Sequence, residues 1–148
     1  MTLEAEQLTY RFFTEIGIIF QLSTTLLEDH LPGRMTSREF GMLGHLVRRP
    51  EGRTPLEIAK AFQLPKTSVT HSLSMLEARS LIAFAPNPAD ARSKIAYATS
   101  QADPFVKEIN HVVNERLSPL VADLGVDTFA SALPHLEAIR VALDGERD

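Results

Sequence analysis

Lys66, Thr67, Ser68, Thr70, His71, Ser74 and Met75 fall on one side of a predicted helix, opposite Val69, Leu73 and Leu76 at i, i+4 and i+7. Small hydroxyls with one lysine and one histidine can exchange hydrogen bonds with phosphate oxygens and with base edges. That is the chemistry of a helix lying in a DNA major groove. On this helix alone, a solvated polar face accounts for the same residues, since helix pairs of this kind also occur as plain packing motifs.

Other chemistries find little support. The chain has no cysteine, which removes disulfides, thiolate metal sites, a cysteine nucleophile and any thiol switch. No nucleophile elbow, glycine-rich phosphate loop or carboxylate cluster occurs, so the expectation is no enzyme, no catalytic residue and no cofactor. A metal-responsive reading would draw on His45, His111 and Glu115. Without cysteine or a His-x-x-x-His pair that ligand set is thin, and no metal site is expected.

The net charge of −4 over 148 residues conceals a division. Residues 1–52 hold five Lys and Arg against seven Asp and Glu, or −2. Residues 53–97 hold six against three, or +3, and residues 98–148 hold four against nine, or −5. An anionic partner responds to the local field, so the basic middle third is the place to look.

The elements that must position these residues follow from periodicity and breakers. Residues 4–31 form a long amphipathic helix, with Leu8, Phe12, Ile16, Ile19, Leu22 and Leu26 as its stripe, widened by Phe13, Ile18, Phe20 and Leu27. Thr36 and Glu39 form a capping box for a second helix ending near Arg49. Thr54-Pro55-Leu56-Glu57 repeats the box for a short third helix, with proline at its first position. Gln63-Leu64-Pro65 turns tightly into the fourth helix, Lys66 to about Arg79. Residues 81–84 and 94–98 are short strands of a hairpin with a Pro- and Asn-rich tip. A fifth helix runs from Pro104 to about Leu124, kinked or split at Pro119, and a sixth from about Asp127 to Leu143.

The order helix-turn-helix then hairpin predicts a mainly α fold with a small β-hairpin wing: a winged helix-turn-helix flanked by N- and C-terminal helices. The expected division is 1–34 as a dimerisation arm, 35–99 as the DNA-binding domain, and 100–148 as C-terminal dimerisation helices. Both arms carry more apolar surface than one small core can use, and a second copy of the chain would cover it.

Four stretches in this order resemble the multiple-antibiotic-resistance regulator (MarR) family of bacterial winged helix-turn-helix regulators. They are Met35-Thr36-Ser37-Arg38-Glu39-Phe40 with Leu43, Leu56-Glu57-Ile58-Ala59, Leu76 to Ile82, and Asp90-Ala91-Arg92-Ser93 followed by Ile95 and Thr99. The last is similar to the family's Asp-x-Arg wing signature and is the most specific. The resemblance covers nearly the whole chain.

The resemblance implies double-stranded DNA as partner, a homodimer, and a ligand-responsive repressor bound to a pseudo-palindromic operator. It places Arg92 at the wing tip, entering a minor groove. Asp90 would hold Arg92 or the loop in place, with an ordinary exposed ion pair as the plain alternative. Lys94 would lie near phosphate, and Arg53 joins the candidate DNA contacts. A small aromatic or anionic effector would be met by Phe12, Phe13, Ile16 and Phe40, with His45 and Arg38 as polar anchors. For each of these residues taken singly, core packing is the plainer reading.

The sequence departs from the family pattern at His71 and Met75, where arginine is common, at Ser80 in place of glycine, and at Phe84 in place of a basic residue. Fewer cations imply weaker phosphate anchoring and a shallower salt dependence. No membrane segment is expected, and the cytoplasm is the expected location. The competing class is a winged-helix protein–protein adaptor, which would need neither Arg92 nor Lys66.

Overall fold

A computed structural model describes residues 1–146. Its elements are α1 (Leu3–Glu28), α2 (Ser37–Val47), α3 (Pro55–Phe62), α4 (Lys66–Ala78), β1 (Ile82–Pro86), β2 (Lys94–Ala98), α5 (Ala102–Leu124) and α6 (Val126–Gly145). Residues 147–148, the end of the expected C-terminal arm, lie outside the described residues.

Local chemistry starts the core helices where the sequence places them. Thr36 Oγ1 accepts from the Glu39 amide at 3.2 Å, and Glu39 Oε2 accepts from the Thr36 amide at 3.1 Å. Thr54 and Glu57 repeat the exchange at 3.2 and 2.7 Å. Each box satisfies first-turn donors that the helix itself cannot. With these starts fixed, α2 buries Met42, Leu43 and Leu46, α3 buries Ile58, and α4 buries Val69, Leu73 and Leu76. Ile82 and Ala96 of the hairpin complete this core.

The chain forms two compact units, the first spanning Met1–Val112 and the second starting at Val113. The first unit takes in the front of α5, where Ala102 and Ile109 are buried and the Phe105 ring meets Phe40 edge-on at 6.3 Å. Proline breaks neither late helix. α5 runs unbroken through Pro119 and α6 through Pro134, so of the kink or split expected at Pro119 the split does not occur. In the second unit Gly125, with φ of +79°, makes the corner between the end of α5 and α6. Neither α1 nor α6 buries any residue within this one chain. Leu8, Ile19, Phe20 and Leu22 of α1 are each more than 60% exposed, at 68%, 62%, 70% and 65%. Among the described residues no helix is long and apolar enough to cross a membrane.

Candidate nucleic-acid interface

The helix-turn-helix closes through a left-handed residue. Gln63 sits at φ of +52°, and the Leu64 amide then reaches back to the Ala59 carbonyl at 3.0 Å. This turns the chain into α4 within three residues, as Gln63-Leu64-Pro65 suggests. α4 begins at Lys66, and Pro65, at its N-cap position, offers no side-chain cap. Its first-turn amides keep their donor capacity, at the positive end of the helix dipole.

The far end of α4 is a Schellman turn. The Leu81 amide donates to the Leu76 carbonyl at 3.1 Å and the Ser80 amide to the Glu77 carbonyl at 2.8 Å, with Ser80 left-handed at φ of +60°. Thr99 Oγ1 donates to the Ser80 carbonyl at 2.7 Å, tying the end of the hairpin to the end of α4.

The hairpin pairs Ile82 with Ala98 through Pro86 with Lys94. Its base gains a third partner that has no periodic signal in the sequence. Arg53 and Ala96 exchange backbone hydrogen bonds of 3.0 and 2.8 Å. Gly52 makes this approach possible. A Cβ there would lie 2.5 Å from Ile95 Cγ2 and 2.8 Å from the Ala96 carbonyl oxygen. The Arg53 guanidinium pairs with Glu51 at 2.6 Å and donates to the Gly52 carbonyl at 2.7 Å. Its charge is thereby partly neutralised at the hairpin base.

Beyond the strands, the tip is two consecutive turns. Asp90 donates its amide to the Asn87 carbonyl at 3.3 Å, and Ser93 donates its amide to the Asp90 carbonyl at 3.1 Å. Asp90 Oδ1 accepts from the Arg92 backbone amide at 2.9 Å. Asp90 therefore holds the loop, and the exposed Asp90–Arg92 ion pair is not what forms. Among the described residues the Arg92 guanidinium meets no carboxylate.

α4 and this wing bound a groove of about 700 Å³. Lys66, Thr70 and Ser74 line it from α4, and Asp90, Arg92 and Lys94 from the wing. Leu56, Leu73 and Phe84 supply apolar surface, and Glu77 a carboxylate. Thr70 and Ser74 donate their hydroxyls to the carbonyls one turn back, at 2.9 Å each, which leaves the oxygens able to accept. Thr67 and His71 are exposed on α4 and Ser68 is half-buried; all three lie outside the groove lining. Sequence reasoning overlooked Leu56, Asn87 and Ser93 in the lining.

The predicted effector residues divide between helix faces and core. Phe12 and Phe13 meet edge-on at 5.6 Å on α1, with Ile16 half-buried and Arg38 exposed. Phe40 is only 8% exposed and packs as core. His45 stands edge-on to Phe62 at 5.4 Å. Burial, with Arg49, Arg48 and Arg53 nearby, holds the His45 ring below its ordinary pKa, which disfavours the charged form that would pair with an anion. The metal-ligand set does not assemble. Among the described residues no three His, Cys, Asp or Glu side chains come together to hold an ion, so His45, His111 and Glu115 form no such centre.

Residues 35–93 match the MarR family. A mutant MarR from E. coli complexed with operator DNA is similar in structure, with a TM-score of 0.73 at 22% identity over 94% of this chain and 99% of that one. The S. aureus MepR–DNA complex gives a TM-score of 0.71 at 22% identity over 88% and 97%. The transcriptional regulator BldR from Sulfolobus solfataricus gives 0.72 at 18% identity over 93% and 99%. No curated protein sequence matches the chain.

Proposed function

We propose that this chain, whose residues 35–93 are a winged helix-turn-helix of the MarR family, is a transcriptional regulator that binds double-stranded DNA as a homodimer. The observation that carries this reading is the groove that brings Lys66, Thr70 and Ser74 of α4 to face Arg92 and Lys94 of the wing. α4 has the width and the polar face for a major groove, and its uncapped first turn can receive a phosphate. Arg92, exposed on the wing, would meet a narrow minor groove, where negative potential is concentrated. Two recognition helices, one per protomer, would then read half-sites about one turn apart, roughly 10–10.5 bp.

The second copy is argued from α1 and α6, each apolar-rich and each without a buried residue in the single chain. A cytoplasmic repressor released by a small aromatic or anionic effector fits the family resemblance. Such an effector would act by changing the spacing of the two recognition helices.

The test is binding of purified protein to the DNA upstream of its own gene, against a scrambled duplex, across a salt series, with Arg92→Ala in parallel. Specific binding that weakens with salt and with loss of Arg92 supports the reading. No binding to any duplex at low salt overturns it and favours the protein–protein adaptor.

A further inference from the structure

The wing tip is organised around a residue that the Asp-x-Arg signature does not include. Asn87 follows the last strand pair, Pro86 with Lys94. Its amide donates to the Ser93 carbonyl at 3.3 Å, which closes the ladder. Its carbonyl accepts from the Asp90 amide at 3.3 Å. Both ends of its side chain are also engaged. Oδ1 accepts from the Ala89 amide at 3.0 Å, and Nδ2 donates to Ser93 Oγ at 2.8 Å. Asn87 thus bonds to the outgoing limb, to the tip and to the returning limb at once. Arg92 hangs between two of these partners, Asp90 and Ser93.

We infer that Asn87 is the positioning residue of the wing, fixing the loop so that Arg92 is presented to DNA in one place. This rests on the DNA-binding reading above. The arrangement needs a side chain with two polar ends. Asparagine bonds Ala89 and Ser93 without turning the Ser93 hydroxyl, aspartate would keep both bonds only with that hydroxyl as donor, and alanine makes neither. A five-residue tip without these bonds samples many conformations, and ordering it on DNA would reduce affinity by the entropy of that ordering.

The experiment is a double-mutant cycle. Duplexes are selected from a random library by the wild-type chain. The tightest is then titrated with wild type, Asn87→Ala, Arg92→Ala and the double variant at several salt concentrations. Asn87→Ala is expected to weaken binding on the order of tenfold and to lower the salt slope by about 0.9, the amount for one phosphate contact. In the Arg92→Ala background the same change should have almost no effect, because there is no longer an Arg92 to position. Ser93→Ala, which removes only the Nδ2 acceptor, should show the same coupling at smaller size, and it guards against a misfolded Asn87→Ala. Full additivity of the two changes, or wild-type binding by Asn87→Ala, overturns the inference alone. Failure of the wild-type chain to enrich any duplex overturns the DNA-binding reading and the inference with it.

Discussion

Asp90 Oδ1 accepts a hydrogen bond from the backbone amide of Arg92 at 2.9 Å, two residues on, and among the described residues the Arg92 guanidinium meets no carboxylate. The carboxylate therefore acts through its acceptor oxygen rather than its charge. Asp90→Asn, which keeps an acceptor oxygen, should bind DNA close to wild type. Asp90→Ala should lose affinity several-fold, on the order of 1 kcal/mol for one lost hydrogen bond. Equilibrium titration of a labelled duplex distinguishes the two. Equal losses in both variants would mean that the charge matters after all.

Arg92 and Lys66 offer their cations from opposite sides of the same groove. Each alanine substitution should reduce the slope of log affinity against log salt by about 0.9. Neither should move the thermal midpoint appreciably, since both side chains are exposed. The wild-type slope itself should be shallow, because His71 and Met75 bring no permanent cation to the exposed face of α4. A steep wild-type slope would show that other cations reach the phosphates.

Gly52 is held at φ of +74° with the wing base against its α-carbon. Gly52→Ala places a methyl 2.5 Å from Ile95 Cγ2 and 2.7 Å from Tyr97 Cε1, besides straining the backbone. A loss of roughly 2–4 kcal/mol is expected, from overpacking and a left-handed non-glycine residue together. Chemical denaturation measures it.

Ser80 gives the opposite sign. It sits at φ of +60°, in the Schellman position where glycine is the unstrained choice. The hydrogen bonds recorded there use its amide and carbonyl, and glycine keeps both. Ser80→Gly should stabilise the fold by about 1 kcal/mol and leave DNA affinity unchanged. A lower melting temperature in this variant would refute the account of the turn.

His45 makes stability depend on acidity. Its ordinary value is 6.5, and burial first, then Arg49, Arg48 and Arg53, hold the folded-state value below that. Well above 6.5 the ring is largely neutral both folded and unfolded, and it contributes little. As pH falls through 6.5 the unfolded chain takes up a proton before the folded one, so stability declines, levelling off below the folded value. His45→Gln should flatten this decline in denaturation midpoints taken between about pH 7 and about pH 5.

The features legible in the sequence are those with local chemistry. Both capping boxes, the turn at Gln63 and the buried row Val69, Leu73 and Leu76 follow from side chains that act within one helical turn. The end of α1 was less visible. Periodicity carries the helix on to Leu31, yet it stops at Glu28, whose carboxylate accepts from the Ser37 amide at 2.8 Å while Leu31 drops into the core. An apolar residue in a tight connection looks the same as one in a helix. Leu81 belongs to the Schellman turn, and β1 instead extends to Pro86 at an edge where no amide is needed. The bridge at Arg53 left no trace, because a single paired residue has no period. Within the site, the hydroxyls and cations announced themselves by type, while Asn87 looked like an ordinary loop residue, because its partners Ala89 and Ser93 leave no pattern in the sequence.

The Arg53–Ala96 bridge joins two points of the chain with all of α3, α4 and β1 between them. Bringing such distant points together costs chain entropy that no local contact returns beforehand. The hairpin can zip from its own tip, but its base can lock only after α3 and α4 have docked and brought Arg53 to Ala96. Folding should accordingly end at the wing base, and the wing should be the first part to come loose. Hydrogen exchange at the Ala96 amide, which Arg53 holds, would then report the opening of the base, and the turn amides of the wing tip would report a faster, separate motion.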